Sequence, residues 1–169
     1  MGTLVASGAT TMLQIDDPSV TLDGVARATD AGQLLLASNS SGISGDGEVE
    51  IDHGGIATID SAEVSGITVR FNDGFSNHLA FETDTTFNGT IEDLQGSDVI
   101  SFGFVAADEA SWSDGVLTLS ENGTVATSFR LTSDSINYAD ASFQATTQSN
   151  IDVTFSRPSL LCPASPLAP

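Results

Sequence analysis

The side chains able to do chemistry are few and scattered. His53 and His78 are the only histidines. With nearby carboxylates they could ligate a metal, but no third ligand stands at a diagnostic spacing. Both are therefore read as exposed: His53 in the turn Ile51-Asp52-His53-Gly54-Gly55, and His78 entering a strand after Ser76-Asn77. Ser44, in Gly42-Ile43-Ser44-Gly45-Asp46, approaches the Gly-x-Ser-x-Gly elbow of a serine nucleophile. It fails at the last position and lies in a polar loop rather than after a buried strand.

Paired carboxylates could cleave a glycosidic bond. Asp16-Asp17, Asp52 with Asp60, and Glu92-Asp93 are the available pairs. No aromatic sugar platform adjoins any of them, and Trp112 reads as core or cap. The calcium-binding repeat Gly-Gly-x-Gly-x-Asp is absent; Ser44-Gly45-Asp46-Gly47-Glu48 is a lone distant echo. No catalytic residue and no cofactor is assigned on this basis, and metal ligation is left open.

The charge is lopsided: 23 acidic residues against four basic ones give a net charge of −19. The cations are Arg27, Arg70, Arg130 and Arg157, with no lysine. Such a surface repels phosphate backbones and anionic headgroups, which argues against nucleic-acid binding and membrane association. The carboxylates are dispersed rather than arrayed as a metal loop would array them, so they read as a solvated face that discourages edge-to-edge strand pairing. Cys162 is the single cysteine and excludes an intramolecular disulfide. No stretch approaches the roughly 20 apolar residues of a membrane span. Met1-Gly2-Thr3-Leu4-Val5 has neither a basic start nor a long apolar core, so it is not read as a signal peptide.

Elements that could position these groups are short strands. Thr3–Ala6, Met12–Ile15, Val20–Leu22, Gln33–Ala37, Glu48–Ile51, Ile56–Ile59, Ile67–Phe71 and Leu79–Phe81 are strand-like runs between Gly, Asp and Asn turns. Leu34, Leu35 and Leu36 in a row suggest a strand buried on both faces. The small polar run Ser38–Gly47 reads as a loop. Val116–Ser120 and Thr124–Leu131 flank Asn122-Gly123, a tight-hairpin signal, and would deliver Leu117, Leu119, Val125 and Phe129 to a cap. Ala106–Ser111 could form one helical turn. Four of the five prolines follow Arg157, so 157–169 reads as a disordered tail.

Short strands with small aliphatics and few early aromatics favour stacked rungs over a sandwich. The predicted fold is all-β: one parallel β-solenoid (β-helix) domain over 1–156, with an antiparallel cap from about residue 100. A β-sandwich is the alternative.

Phe87-Asn-Gly-Thr-Ile91, Gly96-Ser-Asp98-Val-Ile100, Asp114-Gly-Val-Leu-Thr-Leu119, Phe129-Arg-Leu131, Ala141–Thr146 and Ile151–Phe155 carry a resemblance. Together they resemble the C-terminal repeat and cap region of bacterial exported β-solenoid proteins, autotransporter passengers among them. Some of those proteins carry a following hedgehog/intein-type self-processing domain whose first cysteine would fall near Cys162. Nothing after Cys162 resembles such a domain, and no catalytic role is transferred to it. Gln148-Ser149-Asn150 stands where a glycine-rich approach to the last strand is expected. The resemblance spans roughly Ile67 to Phe155 and speaks to architecture.

The resemblance implies an extracellular or cell-surface location. The expected function is a non-enzymatic structural or adhesive segment of an exported surface or matrix protein. Extracellular glycans, and self-association through the solenoid ends, are the candidate partners. The alternative is a polysaccharide-processing β-helix enzyme using paired carboxylates.

Overall fold

The computed structural model describes residues 2–72, 76–132, 142–145 and 151–156. The expected disordered tail 157–169, with Cys162, lies outside the described residues, as does the Gln148-Ser149-Asn150 turn. The chain is an all-β parallel solenoid of about four turns, 63% strand, with no helix among the described residues.

Each coil has three sides. The first contains β1 (Thr3–Ser7), β2 (Met12–Asp16) and β3 (Val20–Thr21). The second contains β4 (Val25–Thr29), β5 (Gln33–Ser38) and β6 (Ile43–Ser44). The third runs through β7 (Glu48–Ile51), β8 (Ile56–Ser61) and the start of β9 (Glu63–Phe71). The fourth takes the rest of β9, β10 (His78–Phe81) and the start of β11 (Thr86–Glu92). The end of β11 and β12 (Val99–Phe102) begin a further coil. In β9 and β11 the chain passes from the third side to the first without leaving the strand: Val64 pairs with Ile43 of β6, whereas Thr68–Phe71 pair with Glu48–Ile51 of β7.

Pairing in register, with one shift between Asn88 and Thr90 where β11 meets β9, turns the two-residue alternation of each strand into inward ladders. On the first side Ala26, Val49, Val69, Ile91 and Leu131 stack in one ladder and Ala6, Ala28, Ile51 and Phe71 in another. On the second side there are two: Leu34–Ala57–Leu79–Ile100–Val153 and Leu36–Ile59–Phe81–Phe102–Ile151. On the third, Val20, Ile43, Val64 and Phe87 stack. All of these are buried. Leu34 and Leu36 face inward and Leu35 outward, so β5 is buried on one face only, not two. The polar run 38–47 is not merely a loop: it contains β6, and Ile43 is 1% exposed.

Toward the cap the core becomes aromatic, where Phe81, Phe87, Phe102 and Phe129 form one cluster; Phe81 and Phe102 stack with centroids 5.4 Å apart. The cap itself comprises β13 (Glu109–Ser113), β14 (Val116–Glu121), β15 (Thr124–Thr132), β16 (Ser142–Ala145) and β17 (Ile151–Ser156). β13, β14 and β15 form an antiparallel meander, and β17 lies antiparallel between β12 and β16. The end of β15 also extends the parallel stack, because Leu131 and Thr132 pair with Ile91 and Glu92 of β11. Glu109–Ser113 is a strand, not a helical turn, because Ala110 and Trp112 alternate inward against the core.

Asn122-Gly123 is the tight connection: φ is +49° at Asn122 and +77° at Gly123, the positive pair that a two-residue hairpin turn requires. Leu117, Leu119 and Phe129 enter the core, whereas Val125 points to solvent at 62% exposure. A side chain at Gly123 would meet nothing within 4 Å. Gly123→Val should therefore cost only the torsional strain, about 1–2 kcal/mol, read from chemical denaturation. An unchanged denaturation midpoint would show that the turn relaxes into another geometry.

Candidate functional site

Stacking converts residues one coil apart in sequence into neighbours. Outward on the first side, Arg27, Glu50, Arg70 and Glu92 fall in one register row across β4, β7, β9 and β11. Arg27 pairs with Glu50. Arg70 reaches Glu48 at 2.6 Å and Glu92 at 2.8 Å. The guanidinium groups are about 40% exposed, so each pair contributes on the order of 0.2–1 kcal/mol. Glu92 of the expected Glu92-Asp93 pair is thus engaged by Arg70.

A cleft of about 610 Å³ opens along the edge between the second and third sides. Gln14, Asp16, Asn39, Ser40, Asp60 and Glu63 supply its polar groups. Asp16 and Asp60 are each in register with Ala37, which places them two strands apart, roughly 10 Å at ordinary strand spacing. The pairs read from the sequence are Asp16-Asp17 and Asp52 with Asp60; the stacking brings Asp16 and Asp60 to one cleft instead. Asp52 precedes β8 at its far end from Asp60 and contacts the exposed His53, whose Nδ1 lies 2.5 Å from Asp52 Oδ1. None of the cleft-lining residues is aromatic or cationic. Among the described residues, no three or more His, Cys, Asp or Glu side chains gather as a metal site.

His78 is half-buried within β10 rather than exposed. Its Nε2 lies 2.6 Å from Ser101 Oγ on β12, and Ser101 Oγ donates to Asp152 Oδ1 on β17 at 2.5 Å. The order is His–Ser–Asp: the serine proton goes to the carboxylate, not to the imidazole that would have to abstract it. Ser101 is also 9% exposed. The chain of bonds ties three strands together rather than activating a nucleophile. Burial lowers the His78 pKa, partly offset by Asp152 and Glu82.

A second buried polar stack lines the corner before β10. Asn77 Oδ1 accepts from Gly54 N at 2.9 Å, and Asn77 Nδ2 donates to Asn72 O at 3.1 Å. Asp98 accepts from Asn77 N at 3.2 Å and from Gln95 N at 2.8 Å. Asp98 and Asn77 are both fully buried. Burial raises the Asp98 carboxyl from 3.8 to about 6, with the backbone donors working against the rise. A folded-state pKa above the unfolded value means that Asp98 favours the fold most below pH 3.8 and loses that contribution as pH rises through about 6. His78, with a lowered pKa, acts in the opposite sense, opposing the fold as pH falls below 6.5. Asp98→Asn should therefore remove up to about 3 kcal/mol of the stability change between neutral and mildly acidic pH. Denaturant melts of both proteins across that range check this; parallel profiles would show that Asp98 titrates normally.

Neither the row nor the relay is legible in the sequence, because hydrogen-bonded partners in adjacent coils are 20 to 24 residues apart and the interval drifts. Comparison with known proteins adds no relative: no family model matches the chain, and no curated protein matches it significantly.

Proposed function

We propose that the chain is a structural or adhesive segment of an exported bacterial surface or matrix protein, acting without catalysis. The observation that carries this reading is the outward face of the first side, where the Arg27–Glu50–Arg70–Glu92 row crosses four successive coils. Such a row braces a rod along its length and leaves its carboxylates occupied by guanidinium groups. The sequence resemblance to exported β-solenoid proteins supports the same reading, and it alone supplies the extracellular location. Glycans are the proposed adhesive partners, since Gln14, Asn39 and Ser40 offer the cleft neutral donors and acceptors.

One observation favours a second reading: Asp16 and Asp60 line one cleft two strands apart, near the carboxylate separation of inverting glycosidases. That reading is a polysaccharide-processing enzyme. Incubation of the purified chain with a panel of neutral and acidic polysaccharides, followed by reducing-end measurement and affinity electrophoresis, separates the two. The structural reading expects retardation in some gels with no new reducing ends. Release of reducing ends that Asp60→Asn abolishes would overturn it in favour of the enzyme.

A further inference from the structure

The chain contains two Asn-Gly steps, Asn88-Gly89 and Asn122-Gly123. Such a step can rearrange without an enzyme. The backbone nitrogen of the glycine attacks the asparagine Cγ, the Cγ–Nδ2 bond breaks, and the glycine N–H proton leaves with the departing ammonia. Water then opens the resulting cyclic imide at either carbonyl. One opening gives aspartate. The other gives isoaspartate, in which the backbone runs through Cβ and Cγ and is longer by one carbon. A following glycine favours the attack because it has no Cβ to crowd the nitrogen. Both asparagine side chains are exposed, so neither local sequence nor solvent access distinguishes the two steps. The fold does.

Asn88-Gly89 lies inside β11, in the body of the solenoid. Asn88 pairs with Ser65 and Thr90 with Thr68 on the preceding coil, so the step is held on both sides. A Cβ at Gly89 would come within 2.3 Å of the Ile67 carbonyl oxygen and 2.7 Å of the Phe87 ring, so this peptide is packed tightly against its neighbours. Closing the imide there means turning the peptide plane against the next coil. Asn122-Gly123 lies at the tip of the cap hairpin, and the ladder flanks it on one side only, from Glu121 paired with Thr124. A Cβ at Gly123 would meet nothing within 4 Å. Asp108 restrains the tip: the Asn122 N–H donates to its carboxylate, at 3.2 and 3.3 Å to the two oxygens. Opening the tip breaks little beyond that bond, and hairpin tips belong to the least stable parts of a fold.

We propose that Asn122 is a site of spontaneous deamidation and isoaspartate formation in the folded protein, and that the solenoid protects Asn88 from the same reaction. The product changes the cap. Two residues between β14 and β15 fix the register of the hairpin, and an added backbone carbon does not fit that turn. The new carboxylate also arises beside Asp108 and Glu121, where like charges repel. Both effects loosen the hairpin that carries Leu117, Leu119 and Phe129 into the core. The proposal is independent of whether the chain is structural or enzymatic.

Incubation of the folded 169-residue chain at mildly alkaline pH, with a parallel sample in denaturant and both mapped by mass spectrometry of their peptides, tests it. The expected result in the folded chain is conversion of Asn122 at least about tenfold faster than Asn88, with comparable rates once the chain is unfolded. Asn122→Ser should abolish isoaspartate at the tip. Asp108→Ala should accelerate conversion of Asn122 about threefold or more, the factor held by one modest hydrogen bond. Equal rates at Asn88 and Asn122 in the folded chain would overturn the proposal. So would an Asn122 that stays intact in the folded chain while the unfolded chain converts, and an unchanged rate in Asp108→Ala would overturn the role given to Asp108.

Discussion

Gly66→Ala should lower stability by about 3 kcal/mol or more, a fall of roughly 6–12 °C in melting temperature for a chain of this size. Gly66 lies inside β9, where the strand turns from the third side of the coil to the first, and its φ is +79°. An L-residue there carries about 1–2 kcal/mol of backbone strain. In addition, a Cβ would drive into the backbone carbonyl of Gly45 on the preceding coil. That oxygen cannot swing aside like the end of a long side chain. Yielding means spreading two coils whose spacing is held by bonds such as Thr68 N to Gly47 O at 3.1 Å. Gly103→Ala is the control: its nearest neighbour would be 3.5 Å away, at ordinary contact, and its φ is not positive. It should be neutral or slightly stabilising, since alanine restricts the unfolded chain. Equal melting of the two variants would refute the account of the corner.

Phe102→Ala should cost about 3–5 kcal/mol, the usual range for deleting a buried ring. Phe102 is 0% exposed, stacks on Phe81 and lies 4.8 Å from Phe129, centroid to centroid. It therefore couples β10 and β12 of the solenoid to β15 of the cap, and its backbone pairs with Ile151 of β17. The cavity sits at the junction, so amide exchange should accelerate in β14, β15 and β17 before it does in β4 and β5. Phe104→Ala, at a half-buried ring that meets Phe102 edge-on at 6.3 Å, should cost markedly less. A loss below about 1 kcal/mol for Phe102→Ala would mean that the ring is not a keystone of the junction.

Local information in the chain was enough for the strands, the hairpin turn and the solenoid class. Alternation with period two is a property of five or six consecutive residues, and Asn122-Gly123 sets its own turn through backbone sterics. Inward residues followed from the same alternation, except where a continuous apolar run such as Leu34-Leu35-Leu36 hides it. The helical turn expected over Ala106–Ser111 failed because pairing with β14 overrode the local preference.

The candidate sites were legible only as unpaired parts. Asp16 and Asp60 both stand among the candidate pairs, but with Asp17 and Asp52 as partners; register across β2, β5 and β8 joined them. His78 looked exposed because the residues that cover it, Ser101 and Asp152, come from later strands. Asp98 carried no sign of a raised pKa, since the burial that raises it is created by the coil stacking. The exposure of Leu4 and the half-burial of Leu13 and Ile15 were equally illegible: their sequence pattern matches that of the buried rungs, and what differs is that none of the described residues stacks on their outer edge. Sequence by itself thus determined which way each side chain points within its strand, because that depends on adjacent residues alone. Tertiary structure decided which side chains meet, because that depends on the length of each coil, and small drifts in that length shift every cross-coil partner.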